Sequence, residues 1–520
     1  MYELKEDDML QVIWKKSSIP MNENVPLVSK EDALIQQVSH SLSRLFPILR
    51  SITGPGVRKT LDIISELVPL AIAEVPSGTP VFDWVVPPEW RCREAYAVGP
   101  SGERVVDMEE HYLHILNYSE SFSGRVSKDE FLEHVLSYPK QPHLIPYQTS
   151  YYSRRWGFSM THEKVQALQD GDYEVHIDTD LDPTGSLTLG ELFLEGRTKE
   201  EILFTCYTCH PQMGNDSLSG VIAAVFLYRL LQQQPIEKRR FSYRFVFLPE
   251  TIGAICYLSI RGAHLKKHLI AGYVLTCIGD RGYFSYKKSR HGATVADFAG
   301  ELAMKNWRGR SNPFGAYQGM VYDFWPSGSD ERQFCSPGFD LPVGGFCRTF
   351  YGIFQEYHTS DDNLEFISPI MIAESSLFLL SLCGVLESNH LESAALVTNI
   401  SRTSSEAICS DQSSMISHAK DIYYSLVPFG EPQLGRRNMY HQVGSCMHDP
   451  SIRVDAIMWI MGYSDGKHSL QQISDKSITH YQQFGSKIPN KGYVFSTVCV
   501  EDLHLVAQEL VAANMLAQVT

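Results

Sequence analysis

The sequence predicts an α/β protein whose central sheet is mostly parallel and flanked by helices. Apolar, β-leaning runs alternate with long helical patterns between about residues 172 and 386. Such alternation is typical of parallel strands that are joined by helical crossovers. Polar residues of metal-binding type follow several of the predicted strands, at the place where open α/β sheets bind their ligands.

Length, composition and charge limit the class of protein. At 520 residues the chain is longer than one hydrophobic core usually serves, so we expect two or three domains. The formal net charge of −15 argues against a general nucleic-acid binder. Eleven cysteines, an odd number, and an acidic N-terminal stretch without an apolar signal core favour reduced thiols and a cytoplasmic location. No uninterrupted run of about 18 apolar residues is present, so we expect no membrane span.

The pattern changes along the chain divide it into four parts. We expect an N-terminal arm over 1–28, a discontinuous α/β domain over 29–81 and 160–395, an inserted β-rich domain over 82–159, and a winged-helix-like domain over 417–520. The Ser-rich stretch 400–416 has the composition of a linker. The Asp-Pro-Thr-Gly sequence at 182–185 predicts a turn that pairs the apolar runs on either side of it.

The candidate site residues lie at the ends of predicted strands. His210 and Asp216 follow the first strand, Glu250 ends the second, Asp280 ends the third, and His358 lies in a later loop. Two histidines and two aspartates would supply metal ligands, and a glutamate would supply a general base. Taken singly, each has a simpler explanation; His210 suits a turn and Asp216 suits a helix N-cap. Only the five residues taken together, following successive predicted strands, predict a zinc site.

The order His, Asp, Glu, Asp, His resembles the co-catalytic zinc aminopeptidase superfamily, which also contains carboxypeptidase-like and glutaminyl-cyclase-like members. The resemblance covers about residues 165–390 and includes the segment GSDERQFCSPGFDLPV at 328–343. It implies a zinc-aminopeptidase-like fold, metal ligands at His210, Asp216, Asp280 and His358, and Glu250 as the general base.

A narrower resemblance extends over nearly the whole chain. Four segments carry it: VPPEWRCREAYAVGPSGERVVD, IPYQTSYYSRRWGF, CHPQMGNDSLSG and YHTSDDNLEFI. They are similar to bacterial aminopeptidase-like proteins that have an inserted β domain and a C-terminal winged helix. Some members of that group are associated with polysaccharide biosynthesis.

Two departures from the superfamily pattern affect the metal count. His210 lies only six residues before Asp216, whereas the family's first ligand lies well upstream. Thr251 follows Glu250 where the family has a second glutamate, which binds the second metal. The resemblance therefore implies one or two Zn²⁺ ions and favours one.

The predicted activity is hydrolysis of an amide or peptide bond by metal-activated water, with Glu250 moving the proton. The substrate would be a peptide, an aminoacyl amide or a biosynthetic small molecule. A non-catalytic binding protein that kept the fold is the alternative.

A regulator acting through the winged helix is least favoured. Residues 451–520 carry five Lys/Arg against six Asp/Glu, and a nucleic-acid-binding module would show a basic surface. Oligomerisation or docking is the expected role of that unit. Six aromatic residues of 82–157 are candidates for a substrate cleft, although core packing is their commoner role: Trp84, Trp90, Tyr147, Tyr151, Tyr152 and Trp156.

Overall fold

The structure is a computed structural model that describes residues 9–21, 31–312, 319–388, 421–437, 439, 450–484 and 497–519. The predicted linker at 400–416 and parts of the predicted arm at 1–28 lie outside these residues.

Twenty strands are assigned in the described ranges. They are β1 (Lys15–Lys16), β2 (Ala71–Pro76), β3 (Pro80–Val81), β4 (Trp84–Val85), β5 (Glu89–Val98), β6 (Arg104–Asp107), β7 (Phe122–Ser127), β8 (Val135–Leu136), β9 (Phe158–Ser159), β10 (Asp172–Asp182), β11 (Ser186–Leu194), β12 (Glu201–Tyr207), β13 (Ser242–Leu248), β14 (Leu269–Leu275), β15 (Ser285–Lys287), β16 (Val321–Tyr322), β17 (Val343–Cys347), β18 (Ile422–Ser425), β19 (Asp465–Ser469) and β20 (Leu516–Gln518).

Twelve α-helices are assigned in the same ranges. They are α1 (Glu31–Leu45), α2 (Pro55–Ser65), α3 (Lys128–Glu133), α4 (His162–Gln166), α5 (Gly220–Gln232), α6 (Ile252–His268), α7 (Val295–Asn306), α8 (Glu331–Phe334), α9 (Pro369–Glu387), α10 (Pro450–Tyr463), α11 (Leu470–Phe484) and α12 (Val500–Ala512).

A nine-stranded mixed sheet forms the centre of the molecule. Its order is β1-β2-β11-β13-β12-β14-β17-β15-β16. The four central strands β13, β12, β14 and β17 are parallel, whereas the pairs β2–β11, β11–β13 and β15–β17 are antiparallel. The predicted α/β fold is confirmed, and its parallel part is the centre of the sheet. The carboxyl ends of the central strands therefore meet at one edge.

The two faces of the sheet are covered differently. Helices α1, α2, α5, α7 and α9 share one apolar core with one face of the sheet. Helix α6 covers the other face, where its core continues into the inserted β-rich part and the C-terminal unit. The three parts of the chain thus meet on the α6 side of the sheet.

The inserted part contains a four-stranded sheet of order β6-β5-β10-β7. Strand β10 pairs with β5 and β7, and β11 pairs with β2 and β13 in the large sheet. The predicted pairing across the turn at 182–185 is therefore wrong, because each strand finds a distant partner with a matching apolar face. The inserted sheet accordingly reaches Asp182, beyond the predicted boundary at 159.

The C-terminal unit combines α10, α11 and α12 with a three-stranded sheet of order β19-β18-β20. It packs against the α/β part, since the His480 ring of α11 stacks on Trp325 with a centroid distance of 4.3 Å. Three helices and a small sheet are the elements expected of the predicted winged-helix-like unit.

Helix α9 is long and apolar enough, by length and composition alone, to cross a membrane. The sequence has no uninterrupted apolar run here because Glu374 and several serines interrupt the apolar residues of α9. Of its most apolar window, 56% is buried inside the protein, and its inner face packs in the core with α1, α5 and α7.

A buried ion cluster ties together the strands that lead to the site. The Arg244 guanidinium of β13 donates to Glu201 of β12 at 2.7 and 2.8 Å and lies 2.8 Å from Glu191 of β11. All three side chains are less than a tenth exposed. Buried charges must be paired, so this cluster fixes the register of three neighbouring strands.

We expect Arg244→Ala to lower the free energy of unfolding by about 3–5 kcal/mol, because it removes the cation that two buried carboxylates share. Glu191 would keep only Arg261, and Glu201 only His264, as a basic partner. The matched surface variant is Arg93→Ala, whose partners Asp178 and Asp180 are exposed; it should cost at most about 1 kcal/mol. Denaturant and thermal unfolding measure both. Equal losses in the two variants would contradict the assigned role of the cluster.

Candidate metal centre and active site

Three of the predicted residues converge at the carboxyl edge of the central strands. Asp216 Oδ2 lies 3.0 Å from His358 Nε2 and 3.7 Å from His210 Nε2. One ligand atom from each of the three residues lies within 4.8 Å of the others. Zinc bonds of about 2.0–2.1 Å in tetrahedral geometry place ligand atoms about 3.4 Å apart. Two imidazoles and a carboxylate at these separations fit one such ion.

Local structure holds Asp216 in place. It lies in the turn Gly214–Ser219 between β12 and α5, and its Oδ1 accepts a hydrogen bond from Thr276 at 3.2 Å. The Asp362 carboxylate accepts the backbone N–H groups of Gly214, Asn215 and Asp216. Asp216 makes no N-cap hydrogen bond for α5, so the simpler explanation of this residue does not apply.

Residues from other parts of the chain hold the two histidines. The buried Arg50 donates from Nε to the His210 carbonyl at 2.7 Å. Tyr147 of the inserted part donates its backbone N–H to the His358 carbonyl at 2.9 Å. The His358 ring stacks on Tyr357 at a centroid distance of 3.9 Å. These contacts fix both imidazoles before any ligand binds.

The electrostatics of the cluster suit a cation. Burial lowers the pKa of His210 to about 4, so this imidazole is neutral near pH 7 and offers a free lone pair. Burial acts to raise the pKa of Asp216, but the two histidines and Thr276 outweigh it and hold the pKa below its usual value. The site thus presents the imidazole nitrogens of His210 and His358 and one carboxylate, with His210 neutral near pH 7.

Glu250 stands beside this cluster. It follows β13 directly, and its Oε2 lies 3.9 Å from His210 Nε2. Burial, together with the charge of Asp330, raises the pKa of Glu250 well above its usual value. A positive charge held by His210, Asp216 and His358 would favour the ionised carboxylate that a general base requires.

Asp280 does not join the cluster of His210, Asp216 and His358. Its carboxylate accepts hydrogen bonds from Asn215 Nδ2 at 3.0 Å, from the Gly282 N–H at 2.6 Å and from Thr349 Oγ1 at 2.7 Å. Among the described residues, Asp280 belongs to neither group of side chains whose ligand atoms could share an ion. Its visible role is to join the strand ends of β14 and β17 to the Asp216 turn.

A second group consists of Cys209, His210 and Glu250, again with ligand atoms within 4.8 Å. Cys209 Sγ accepts the backbone N–H of Glu250 at 3.3 Å and lies 3.4 Å from His210 Nδ1. The thiol therefore contacts the imidazole on the nitrogen that faces away from Asp216.

A cavity of about 420 Å³ opens onto the cluster. His210, Glu250 and His358 lie in its wall. The inserted part contributes Trp84, Tyr147, Thr149, Tyr151, Tyr152 and Ser153, and the C-terminal unit contributes Glu431, Gln433 and Gly435. Four aromatic candidates thus line the cavity. Trp90 and Trp156 pack instead on Tyr118 and on Phe122 and His134.

The sequence patterns do not identify the site residues that lie far from the predicted ligands in the chain. Glu431 and Gln433 belong to a segment that carries no motif. Arg50 likewise lies in a stretch whose sequence pattern indicates no site residue. Asp330 and Arg332 lie in the segment 328–343, which resembles the zinc aminopeptidase superfamily. That resemblance is the one sequence signal that could have located these two residues.

Comparison with solved structures identifies the class. A provisionally named peptidase from Clostridium acetobutylicum is 36% identical with a TM-score of 0.65, over 94% of this chain and 98% of that chain. A zinc aminopeptidase from Bacillus subtilis is 12% identical with a TM-score of 0.50, over 69% of this chain and 95% of that chain, which shows the fold alone. The protein has the zinc-aminopeptidase-like fold with a C-terminal winged helix.

The sequence comparisons give the family. The model described as "Domain of unknown function (DUF4910)" matches residues 40–389, and a winged helix-turn-helix model matches 421–485. The chain belongs to the first of these families. It is also 41% identical over 441 residues, 85% of this chain and 91% of the relative, to a Clostridium acetobutylicum protein provisionally named as a polysaccharide biosynthesis protein with an aminopeptidase-like domain.

The different surroundings of the two aspartates give a prediction. Asp216→Asn should reduce the bound zinc by at least about tenfold, because it removes the carboxylate shared by both histidines. Asp280→Asn should leave the zinc content near that of the wild type and lower the melting temperature instead. Elemental analysis of both variants, purified without chelators, measures this. Zinc lost equally in both would make Asp280 a ligand.

Proposed function

We propose that this protein is a single-metal hydrolase of amide bonds, with zinc held by His210, Asp216 and His358. The observation that carries the proposal is the convergence of these three side chains beside Glu250 in the wall of a cavity. When bound, zinc would supply a water of lowered pKa and a Lewis acid for the carbonyl oxygen.

The residues of the chain would perform the proton transfers. Glu250 takes the proton of the attacking water and returns it to the leaving nitrogen. His210 and His358 act as ligands. Arg50 and Tyr147 hold their backbone carbonyls, and Tyr357 stacks on the His358 ring. The inserted part and the C-terminal unit close the cavity and restrict access of bulk water.

Thr251 supports a single metal. In place of the family's second glutamate, its hydroxyl accepts a hydrogen bond from Arg332 Nη2 at 2.8 Å. A guanidinium in direct contact with this position disfavours a second dication nearby. Asp280, whose carboxylate is already bound by Asn215, Gly282 and Thr349, is not available in this arrangement as a replacement.

The shape of the cavity favours a small substrate. A volume of about 420 Å³ lies in the range of small-molecule pockets. Its aromatic wall suits an apolar side chain or the face of a sugar ring. We propose an aminoacyl amide or an amide on a sugar precursor; the name of the 41% identical relative is consistent with the latter.

We propose that the C-terminal unit serves docking or self-association rather than nucleic-acid binding. Helix α12 carries Glu501, Asp502 and Glu509 and has no Lys or Arg. Leu505 and Val511 on the same helix are exposed. A helix with this surface would repel phosphates.

The general base gives the decisive kinetic test. Glu250→Gln should lower the turnover of any cleaved amide by about 10²–10⁴-fold while zinc stays bound, because only the proton acceptor is lost. Aminoacyl p-nitroanilides, aminoacyl amides and N-acetylated amino sugars form the substrate panel.

The matched control is Glu365→Gln, an exposed glutamate in the loop after His358; its turnover should equal that of the wild type. Undiminished hydrolysis by Glu250→Gln would refute the assigned mechanism. Zinc binding with no hydrolysis of the whole panel would favour a non-catalytic binding protein.

A further inference from the structure

The residue after the proposed base has an unusual backbone conformation. Thr251 has φ 61° and ψ −80° and begins helix α6. Positive φ is rare for residues other than glycine and is a genuine outlier for a β-branched side chain. Such a conformation persists only where surrounding contacts enforce it. Because Glu250 is the preceding residue, the conformation of Thr251 also determines where the base points.

Two contacts from one segment enforce this conformation. The Thr251 N–H donates to Asp330 Oδ1 at 2.8 Å, and the Thr251 hydroxyl accepts from Arg332 Nη2 at 2.8 Å. Main chain and side chain of Thr251 are thus held from the same short stretch at the start of α8. If either contact weakens, Thr251 can relax towards negative φ.

Arg332 depends in turn on the C-terminal unit. Its Nε donates to Glu431 Oε2 at 2.5 Å, and the two side chains are 12% and 14% exposed. Nη1 donates to the carbonyls of Gly328 and Ser329. Among the described residues, Glu431 is the one carboxylate that accepts a hydrogen bond from this guanidinium. Glu431 therefore determines the orientation of the Arg332 guanidinium group.

Glu431 is itself fixed by the other two parts of the chain. Its N–H donates to Gln333 Oε1 at 2.8 Å, and its carbonyl accepts from Trp84 Nε1 at 2.7 Å. Asp83, next to Trp84, accepts from the Gln433 N–H at 2.8 Å and pairs with Arg437. The segment 431–437 is therefore anchored beside the cavity that it lines.

The charges nearby give the Glu431–Arg332 pair a second effect. Arg332 lies near the carboxylates of Glu250 and Asp330: burial raises the pKa of each, and the positive charge of Arg332 partly opposes that rise. Without Glu431, Arg332 could turn towards either of these carboxylates. That movement would release Thr251 and place a guanidinium against the base.

We propose that Glu431 is a positioning residue for Glu250: through Arg332 it holds Thr251 at positive φ, so that the C-terminal unit completes the active site. The proposal rests on the proposed function only in taking Glu250 as the base. Glu431 lies outside residues 40–389, which the family model matches. A ligand or partner that displaced the C-terminal unit would thereby change the position of the base.

Hydrogen–deuterium exchange of the full-length protein tests this without substrate or metal. In Glu431→Gln, the amides of a peptide spanning 249–254 should exchange about tenfold faster than in the wild type, because the Thr251 N–H loses its fixed acceptor geometry. Exchange within α6, over 259–265, should not change. Arg332→Lys keeps the charge but loses the fork, and it should show the same local acceleration.

The control is Glu509→Gln, which breaks a comparable ion pair within the C-terminal unit, that with Arg453 at 2.7 Å. It should leave exchange at 249–254 unchanged. Acceleration there by Glu509→Gln would mean that general loosening of the unit, and not the Glu431 contact, is responsible.

A double variant completes the test. Glycine adopts positive φ without strain and lacks the hydroxyl, so in a Thr251→Gly background Glu431→Gln should change exchange at 249–254 by less than about twofold. An equal acceleration in both backgrounds, or none in the single variant, would overturn the proposal. Neither result depends on catalysis, so failure here is distinct from failure of the proposed hydrolase.

Discussion

The site depends on one fully buried carboxylate. Asp216 is 0% exposed, and a buried carboxylate is stable only where hydrogen bonds and positive charge surround it. His358 and Thr276 provide hydrogen bonds from two separate segments, and His210 approaches from a third. Asp362 fixes the backbone that carries Asp216, and a bound metal ion would supply the positive charge. Strand ends and loops far apart in sequence are thereby brought to one point. The same carboxylate supplies the negative charge that a zinc ion between the two imidazoles would need.

The cavity is a joint product of three parts of the chain. The α/β part supplies the cluster and Glu250, the inserted part supplies the aromatic wall and holds the His358 loop through Tyr147, and the C-terminal unit supplies Glu431. The C-terminal unit thus contributes directly to the wall of the candidate active site, through Glu431, Gln433 and Gly435.

The sequence predicted those features that arise from local pattern. Apolar runs ending in polar turns predicted the α/β fold and placed His210, Asp216, Glu250 and His358 at one edge of the sheet. The same signal selected Asp280, because a side chain at a strand end looks alike in sequence whether it faces a cavity or accepts hydrogen bonds from Asn215 and Thr349. Only the packing of the loops separates the two cases.

Features that depend on distant pairing could not be read from the sequence. The turn composition at 182–185 predicted a hairpin, yet β10 and β11 join different sheets because their better partners lie elsewhere. Glu431 reaches the cavity from nearly 200 residues beyond Glu250, and no local pattern marks such a contact.

The metal content of the wild-type protein tests the central claim most directly. Elemental analysis and native mass spectrometry of protein purified without chelators should find about one zinc per chain, removed by a chelator and restored by added Zn²⁺. Two ions per chain would contradict the single-metal site formed by His210, Asp216 and His358. No metal after reconstitution would contradict the hydrolase itself.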